Sequence, residues 1–132
     1  MTDVPAHLPH RRPFLLVDRV VEREPGIRAV AEKLVTGQEP CFRGSKGAVP
    51  APLLLEMLAQ TGGFLESDPL HGSAVFLAGI RDARFPAAAH PGDRLRLEAV
   101  ADGAFAGMMK VQGTVTCDGR ELCTASLLVK RL

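Results

Sequence analysis

An apolar stretch of seventeen residues, 49–65, constrains the fold more than any other part of the chain. It is apolar on almost every face, so we expect a central helix that is buried on several sides, not an amphipathic surface helix. Pro52 has a fixed φ and no N–H, which suits the first helical turn, and it pushes the preceding Ala51 towards an extended conformation. We therefore expect the helix to begin at Ala51 or Pro52.

Two polar residues interrupt this apolar surface. Glu56 and Gln60 are four positions apart, which places them on one face of the helix. One interpretation is a narrow solvated stripe, and the helical segment by itself favours it. The other is that Glu56 lines a cavity and takes part in chemistry.

Composition limits the classes of function. A chain of 132 residues with 46% apolar and 23% charged residues predicts one soluble globular domain, residues 1–132. The net charge of +1 and the lack of Trp and Tyr argue against nucleic-acid binding. The sequence has no signal-peptide pattern and no run of membrane-spanning length, so we expect a cytoplasmic protein without a membrane partner.

The cysteines do not indicate a metal site. The chain has three, Cys41, Cys117 and Cys123. Their spacing matches none of the paired zinc patterns, and we expect neither a metal nor another cofactor. If residues 118–119 form a two-residue hairpin turn, Cys117 pairs with Arg120 and Cys123 with Thr114, so the two thiols lie on opposite faces of the sheet. A disulfide between them is then not expected.

The rest of the chain predicts strands. Residues 14–23 and 27–35 form a hairpin around a proline and glycine turn at 24–26. Four further strands follow the helix, at 74–85, 94–101, 107–117 and 120–131, with turn signals at 91–93, 102–103 and 118–119. The order predicts an α+β fold, in which the antiparallel sheet covers one side of the apolar helix and a second subunit covers the other.

Several motifs carry a family resemblance. Residues 8–20, Leu-Pro-His-Arg-Arg-Pro-Phe-Leu-Leu-Val-Asp-Arg-Val, closely resemble the opening of the FabZ-type 3-hydroxyacyl-acyl carrier protein dehydratases of bacterial fatty acid synthesis. Further matching stretches follow in the same order, at 39–44, 50–63, 76–85 and 91–95. Together they cover nearly the whole chain, which makes the resemblance specific although each motif alone is weak.

The resemblance implies a hotdog fold, in which a curved antiparallel sheet wraps around one long helix. It also implies a dimer through edge strands, homomeric or with a related hotdog subunit, and allows three such dimers to assemble into a hexamer. The substrates of such proteins are acyl thioesters of acyl carrier protein or coenzyme A. A loop histidine acts as base, a helical carboxylate of the other subunit handles the leaving hydroxyl, and a backbone N–H at the helix N-terminus polarises the carbonyl.

Carried over by position, the family's acid falls on Glu56, and Gln60 matches the family's helical glutamine. The polarising N–H falls on Ala51, and the positions of Gly44 and Phe85 also fall in the substrate site. Ser45 stands where the family has its histidine, and the loop between this position and the helix is three residues shorter.

The missing histidine is the main departure from the family. Serine does not titrate near neutral pH and cannot replace the imidazole. Lys46 would need a strongly lowered pKa to act as the base. His90 is the remaining candidate, although its Pro-Gly-Asp context is typical of a turn residue.

Three functions stay open. In the first, a related subunit supplies the histidine while this chain supplies Glu56, so the chain alone is not a dehydratase. In the second, Glu56 and a backbone N–H hydrolyse an acyl thioester without any histidine. In the third, the chain is a non-catalytic partner that binds the acidic carrier protein through Arg81, Arg84 and Arg94.

Overall fold

The computed structural model of the protein describes Val4 and residues 15–37, 47–66 and 75–131. The regular elements of these residues are β1 (Arg19–Glu24), β2 (Arg28–Leu34), α1 (Ala51–Gly62), a 3-10 helix (Gly63–Leu65), β3 (Val75–Arg84), β4 (Arg94–Phe105), β5 (Met108–Cys117) and β6 (Arg120–Arg131). The strands form one sheet in the order β1-β2-β4-β5-β6-β3, in which all neighbours are antiparallel. The α+β order expected from the sequence is confirmed.

Helix α1 lies in the centre of the core, as its apolar pattern predicts. It begins at Ala51 with proline in its first turn, and every residue from Met57 to Gly62 is buried. The sheet lies close against it at Gly113, where a Cβ atom would lie 2.8 Å from Cδ1 of Leu58. A glycine at this position therefore lets helix and sheet pack in direct contact.

The β1–β2 hairpin holds the far end of the helical segment. Its turn is the predicted one, with Gly26 at φ +79° and a 3.0 Å hydrogen bond from the Ile27 N–H to the Glu24 carbonyl. The Gly26 N–H donates to the Leu65 carbonyl at 2.7 Å, and Nε of Arg23 donates to the Phe64 carbonyl at 2.8 Å. These contacts satisfy carbonyls that the helical segment leaves without intrahelical donors.

The turn predicted at Asp102-Gly103 is wrong. Strand β4 continues to Phe105, and its register against β5 shifts between Ala101 and Ala104, so Asp102 and Gly103 form a bulge. The chain reverses instead at Ala106-Gly107, where both residues have positive φ. An Asp-Gly pair serves a bulge as well as a turn, because both need a residue that tolerates positive φ.

The predicted faces of the two thiols are also wrong. Cys117 pairs with Arg120 as expected, but the β5–β6 register shifts between Val115 and Thr116, and Cys123 therefore pairs with Val115. Both thiols are free and both lie in the core. The one-residue bulge moves Cys123 onto the face that Cys117 occupies, since each register step inverts the face of a strand.

Strand β1 is shorter than the sequence predicts. It begins at Arg19, and residues 15–18 precede it, with the Asp18 N–H donating to the Glu32 carbonyl of β2 at 3.0 Å, while Phe14 lies outside the described residues. The Leu16 N–H donates to a side chain of α1 and not to a strand neighbour. This contact contributes directly to the candidate site.

Candidate functional site

The candidate site is organised around Glu56, which lies half-buried on α1. Oε1 of Glu56 accepts a hydrogen bond from Nε2 of Gln60 at 3.3 Å. Oε1 of Gln60 in turn accepts the Leu16 N–H at 2.8 Å. Because the backbone N–H requires an oxygen acceptor, the Gln60 amide has one orientation and presents its NH₂ group to Glu56.

Burial makes this hydrogen-bond relay from Leu16 through Gln60 to Glu56 rigid. Gln60 is only 1% exposed and Leu16 only 2% exposed. An amide at this depth has few alternative partners, so its NH₂ group stays directed at the Glu56 carboxylate. The prediction that Glu56 and Gln60 share one face of the helix is confirmed. At Gln60 this face forms a buried polar contact, whereas the alternative interpretation was a solvated stripe.

The N-terminus of α1 presents one backbone donor, that of Ala51. Residues 50 and 52 are prolines without an N–H, and the Leu53 N–H donates to the Pro50 carbonyl at 2.9 Å. No side chain of the described residues caps this terminus. Within the first turn, the Ala51 N–H is therefore the donor that has no acceptor in the helix, at the end where the helix dipole favours negative charge.

The segment before α1 is held by the loop before β4. The Val49 N–H donates to the Ala89 carbonyl at 2.8 Å, and the Val35 N–H donates to the Asp93 carbonyl at 2.9 Å. His90 lies in this loop, is exposed, and forms a turn with Asp93: its N–H donates to Oδ2 and its carbonyl accepts the Asp93 N–H. These bonds match the turn role expected of His90.

The loop that carries Gly44, Ser45 and Lys46 lies outside the described residues, so those predictions stay predictions. Among the residues that the structure does describe, His90 is the one histidine. Phe85 directly follows β3 and is 40% exposed. Its expected role in substrate binding likewise stays a prediction.

The three arginines expected to meet a carrier protein do not form one patch. Arg81 and Arg84 both lie on β3 and pair with Ser126 and Thr124, so they share the face of the sheet away from α1. Arg94 lies on β4, three strands away, and Nη1 is 3.5 Å from Oε2 of Glu32. The structure therefore groups Arg81 with Arg84 and separates Arg94 from both.

The described side chains offer neither a reactive thiol nor a metal site. Burial raises the pKa of the Cys123 thiol to about 11, and burial also raises the pKa of Cys117. Thiols of this kind are poor nucleophiles because their thiolate fraction is small. No group of three or more His, Cys, Asp or Glu suited to a metal ion occurs in the described part of the chain, and none of its helices has the length and apolarity to cross a membrane.

The sequence does not predict two polar contacts near the site. Lys33 is 4% exposed, and its Nζ lies 3.4 Å from Oδ1 of Asp18, while Oδ2 of Asp18 accepts the Leu34 N–H at 2.7 Å. Asp18 thus anchors the segment that carries Leu16. A lysine within a strand of alternating apolar residues indicates that a carboxylate lies nearby, but the pattern does not identify which residue supplies it.

Comparison with known proteins identifies the family. The family model of the ApeP-like dehydratases, ApeP dehydratase, matches residues 2–131. The 3-hydroxyacyl-[acyl-carrier-protein] dehydratase FabZ of Chloroflexus aggregans is 47% identical over 131 residues, which covers 96% of this chain and 91% of the relative. The chain belongs to the FabZ-type dehydratase family. This membership confirms the resemblance carried by the motifs and gives the chain a dehydratase-like role.

Solved structures confirm the hotdog fold. The dehydratase heterocomplex ApeI:P from Xenorhabdus doucetiae superposes with a TM-score of 0.85 at 23% identity, covering 100% of this chain and 92% of that chain. A hypothetical thioesterase protein with coenzyme A from Streptococcus pneumoniae gives a TM-score of 0.67 at 13% identity, covering 86% and 84%. At these identities the likeness concerns the fold alone.

Proposed function

We propose that this chain is one subunit of a two-chain dehydratase for 3-hydroxyacyl thioesters of acyl carrier protein, with Glu56 as the acid. The observation that carries this proposal is the buried relay that holds Glu56 through Gln60 and Leu16. A carboxylate that served only solubility would not need a buried amide to orient it. The names of the FabZ relatives supply the substrate class.

The proposed step is an elimination of water. A base removes the proton at C2 of the 3-hydroxyacyl thioester, a double bond forms between C2 and C3, and the C3–O bond breaks. The carboxyl of Glu56 gives its proton to the leaving hydroxyl, so the products are a 2-enoyl thioester and water. Since Oε1 of Glu56 accepts from Gln60, the transferable proton lies on Oε2.

The Ala51 N–H would stabilise the charge that develops on the thioester oxygen when the C2 proton leaves. A fixed donor at a helix N-terminus acts where this charge appears and needs no rearrangement during the step. Alanine supplies the N–H but carries a methyl group where the family usually has glycine. The thioester must therefore approach beside that methyl group.

The base would come from a second hotdog subunit. Ser45 cannot act as an imidazole, and the one described histidine, His90, is a turn residue at the surface. The ApeI:P neighbour is a dehydratase heterocomplex, which supports an arrangement of two different chains. We infer that this chain alone does not catalyse the reaction and that a partner supplies the imidazole.

The test compares the native complex with the isolated chain in the hydration of an enoyl thioester. We expect turnover by the complex and none by the isolated chain. Glu56→Gln in the complex should lower kcat by roughly 10²- to 10⁴-fold. Glu66→Gln, which changes a carboxylate outside α1, is the matched control and should leave kcat unchanged.

Two results would contradict the proposal. Robust turnover by the isolated chain would exclude the need for a second subunit. An unchanged kcat for Glu56→Gln would exclude Glu56 as the acid. The two outcomes are independent, so each part of the proposal stands or falls separately.

Thioester hydrolysis is a second candidate, favoured by one feature of the site. Glu56 and the Ala51 N–H lie on one helix, and together they provide a carboxylate to activate water and a donor for the oxyanion. Release of free thiol from an acyl thioester, abolished by Glu56→Gln, would support this candidate. A release rate equal to the uncatalysed background would exclude it.

A further inference from the structure

Lys33 occupies a core-facing position of β2. Ala29 and Ala31 are fully buried members of the core, and residues two apart in a strand point to the same face. The partner of Lys33 on β4 is Leu95, which is also fully buried. Since the Lys33 side chain is only 5% exposed, its ammonium group is largely removed from water.

Asp18 binds β2 with three of its atoms. Its Oδ1 lies 3.4 Å from Nζ of Lys33, and its Oδ2 accepts the Leu34 N–H at 2.7 Å. Its own N–H donates to the Glu32 carbonyl at 3.0 Å. Because the two carboxylate oxygens have different partners, the side chain is held in one rotation. Both the backbone and the side chain of Asp18 are thus fixed against this strand.

Stability alone does not account for a lysine at this position. Removal of an ammonium group from water has a large free-energy cost, and an apolar side chain of similar volume often stabilises a fold as well as a buried ion pair does. Asp18 keeps 47% of its side chain exposed, so this cost falls mainly on Lys33. The buried charge adds a geometric requirement, because any movement of residues 15–18 that takes the carboxylate away leaves the ammonium less well compensated.

Residues 16–18 connect this ion pair to the candidate site. Leu16 and Val17 are each 2% exposed, so the backbone between the ion pair and the site is packed in the core. The Leu16 N–H donates to Oε1 of Gln60 at 2.8 Å, and this bond orients the amide that donates to Glu56. A displacement of Leu16 on the order of 1 Å would stretch the bond beyond hydrogen-bond range. The position of the Leu16 backbone thus decides where the Gln60 amide points.

We propose that Lys33 and Asp18 are positioning residues for the Glu56 acid. Their ion pair fixes residues 16–18 against β2 and so places the N–H that orients the Gln60 amide. They act through these groups and not on the substrate itself. This inference rests on the proposed function, in which Glu56 protonates the leaving hydroxyl. Since a misplacement of about 1 Å can lower a rate by about 10²-fold, loss of the ion pair should slow the chemical step more than it weakens substrate binding.

The main variant is Asp18→Asn in the native complex. The new amide oxygen can still accept the Leu34 N–H, but the amide NH₂ group replaces the oxygen that faces Lys33. We expect kcat for hydration of an enoyl thioester to fall by roughly tenfold, with KM within about twofold of the wild type. Asp102→Asn is the matched control, because Asp102 is 51% exposed and pairs with Lys110 at 3.7 Å on strands β4 and β5. It should leave kcat unchanged.

A double variant, Asp18→Asn with Lys33→Met, separates positioning from folding. It removes both charges, so no ammonium is left buried beside a neutral amide, and we expect its urea unfolding to be close to that of the wild type. The fall in kcat should persist, because the contact that holds residues 16–18 is still missing. A double variant with the stability and the kcat of the wild type would overturn the proposal, since the ion pair would then have a structural role only.

Amide hydrogen exchange of Leu16 gives a readout that does not depend on the reaction. We expect exchange in the double variant to be roughly tenfold faster than in the wild type, because the Leu16 N–H spends more time without its Gln60 acceptor. Asp102→Asn should exchange at the wild-type rate. Exchange at the wild-type rate in the double variant would overturn the proposal even if kcat falls. If the wild-type complex does not hydrate the thioester, the proposed function fails, and the exchange rates still decide whether the ion pair holds Leu16.

Discussion

A single buried amide, Gln60, decides how the helical carboxylate is held. Gln60→Met keeps the side-chain volume but removes the donor to Glu56 and the acceptor of the Leu16 N–H. We expect a loss of about 1–3 kcal/mol in the free energy of unfolding, since a buried donor is left unsatisfied. We also expect kcat of the complex to fall by roughly tenfold or more with little change in KM, because Glu56 is misplaced.

Urea unfolding and enoyl-thioester hydration measure the two effects of Gln60→Met. Thr61→Val is the matched control, since it removes a hydroxyl that bonds the Met57 carbonyl within the same helix. It should leave kcat unaltered. If Gln60→Met loses stability but retains kcat, the amide has a structural role only.

The buried thiol of Cys123 predicts an alkaline loss of stability. Its pKa is about 11 in the folded protein against 9.0 for an unburied thiol, and the cause is burial. Between these values the unfolded chain loses the proton that the folded chain keeps, so the free energy of unfolding falls as the pH rises from about 9 to about 11. The stability is fully present below pH 9.

Unfolding by urea at several pH values checks this thiol prediction. The chain contains no Tyr, so no phenol titrates in the same range. Cys123→Ala should flatten the slope, although it also opens a small cavity in the core that lowers stability at every pH. An unchanged slope in Cys123→Ala would assign the alkaline loss to other groups.

The sequence predicts the local part of the candidate site but not its long-range contacts. The i, i+4 spacing of Glu56 and Gln60 was visible because helix geometry is local. The partner of Gln60, Leu16, lies 44 positions away, and only the fold brings them together. No local pattern encodes a hydrogen bond across that distance.

Within single elements, the contact of α1 with β5 depends on the missing side chain of Gly113. An added Cβ would lie 2.8, 3.2 and 3.3 Å from three atoms of Leu58, whose side chain is fully buried. Gly113→Ala must therefore displace the helix or force Leu58 from its rotamer, and we expect a loss of about 1–3 kcal/mol. Thermal or urea unfolding measures it.

Gly62→Ala is the matched control at the same helix–sheet contact. Its Cβ would meet Val111 and Val129 at 3.8 Å, which is ordinary van der Waals contact, and alanine is the better helix former. We expect unchanged or slightly higher stability. Equal losses for the two variants would show that added volume anywhere beneath α1 is harmful, and not the close approach at Gly113 in particular.

The sequence predicts the turns between the strands well but not the bulges within them. Turns at Pro25-Gly26 and Asp118-Gly119 follow from their residues, because both need positive φ at defined positions. The bulges in β4 and β6 do not, since an Asp-Gly pair suits bulge and turn alike and Leu122, the extra residue of β6, carries no signal. Each bulge shifts the register by one residue, which is why the faces of the thiols were predicted incorrectly.

For the molecule as a whole, the element order follows from the sequence while the order of the strands in the sheet does not. Arg81 of β3 and Lys110 of β5 lie 29 positions apart in the chain, and β6 lies between their strands in the sheet. Strand order in the sheet is set by long-range pairing, which alternation along one strand does not encode. Arg94 looks equivalent to Arg81 in the sequence for the same reason.

The two edges of the sheet differ in how well they can pair with another subunit. β1 has six residues with mostly charged side chains, whereas β3 has ten residues, and the register of both strands is irregular. Ile80 of β3 pairs with Leu127, which faces the core, yet Ile80 is 46% exposed. The edge strand thus presents an apolar side chain on the helix side of the sheet, where no described residue of this chain covers it fully.

Assembly through β3 predicts a difference between two exposed isoleucines. Ile80→Lys would bury a charge inside an apolar subunit contact. The free energy needed to bury this charge exceeds the stabilisation that the contact provides, so we expect the assembly to dissociate to a smaller mass. Ile27→Lys is the control, because Ile27 is 58% exposed at the β1–β2 turn and we expect its assembly mass to equal that of the wild type. Light scattering after size-exclusion chromatography measures both masses, and circular dichroism confirms the fold. An Ile80→Lys variant that keeps the wild-type mass would place the subunit contact elsewhere, and the two-chain site would then have to be built without this edge.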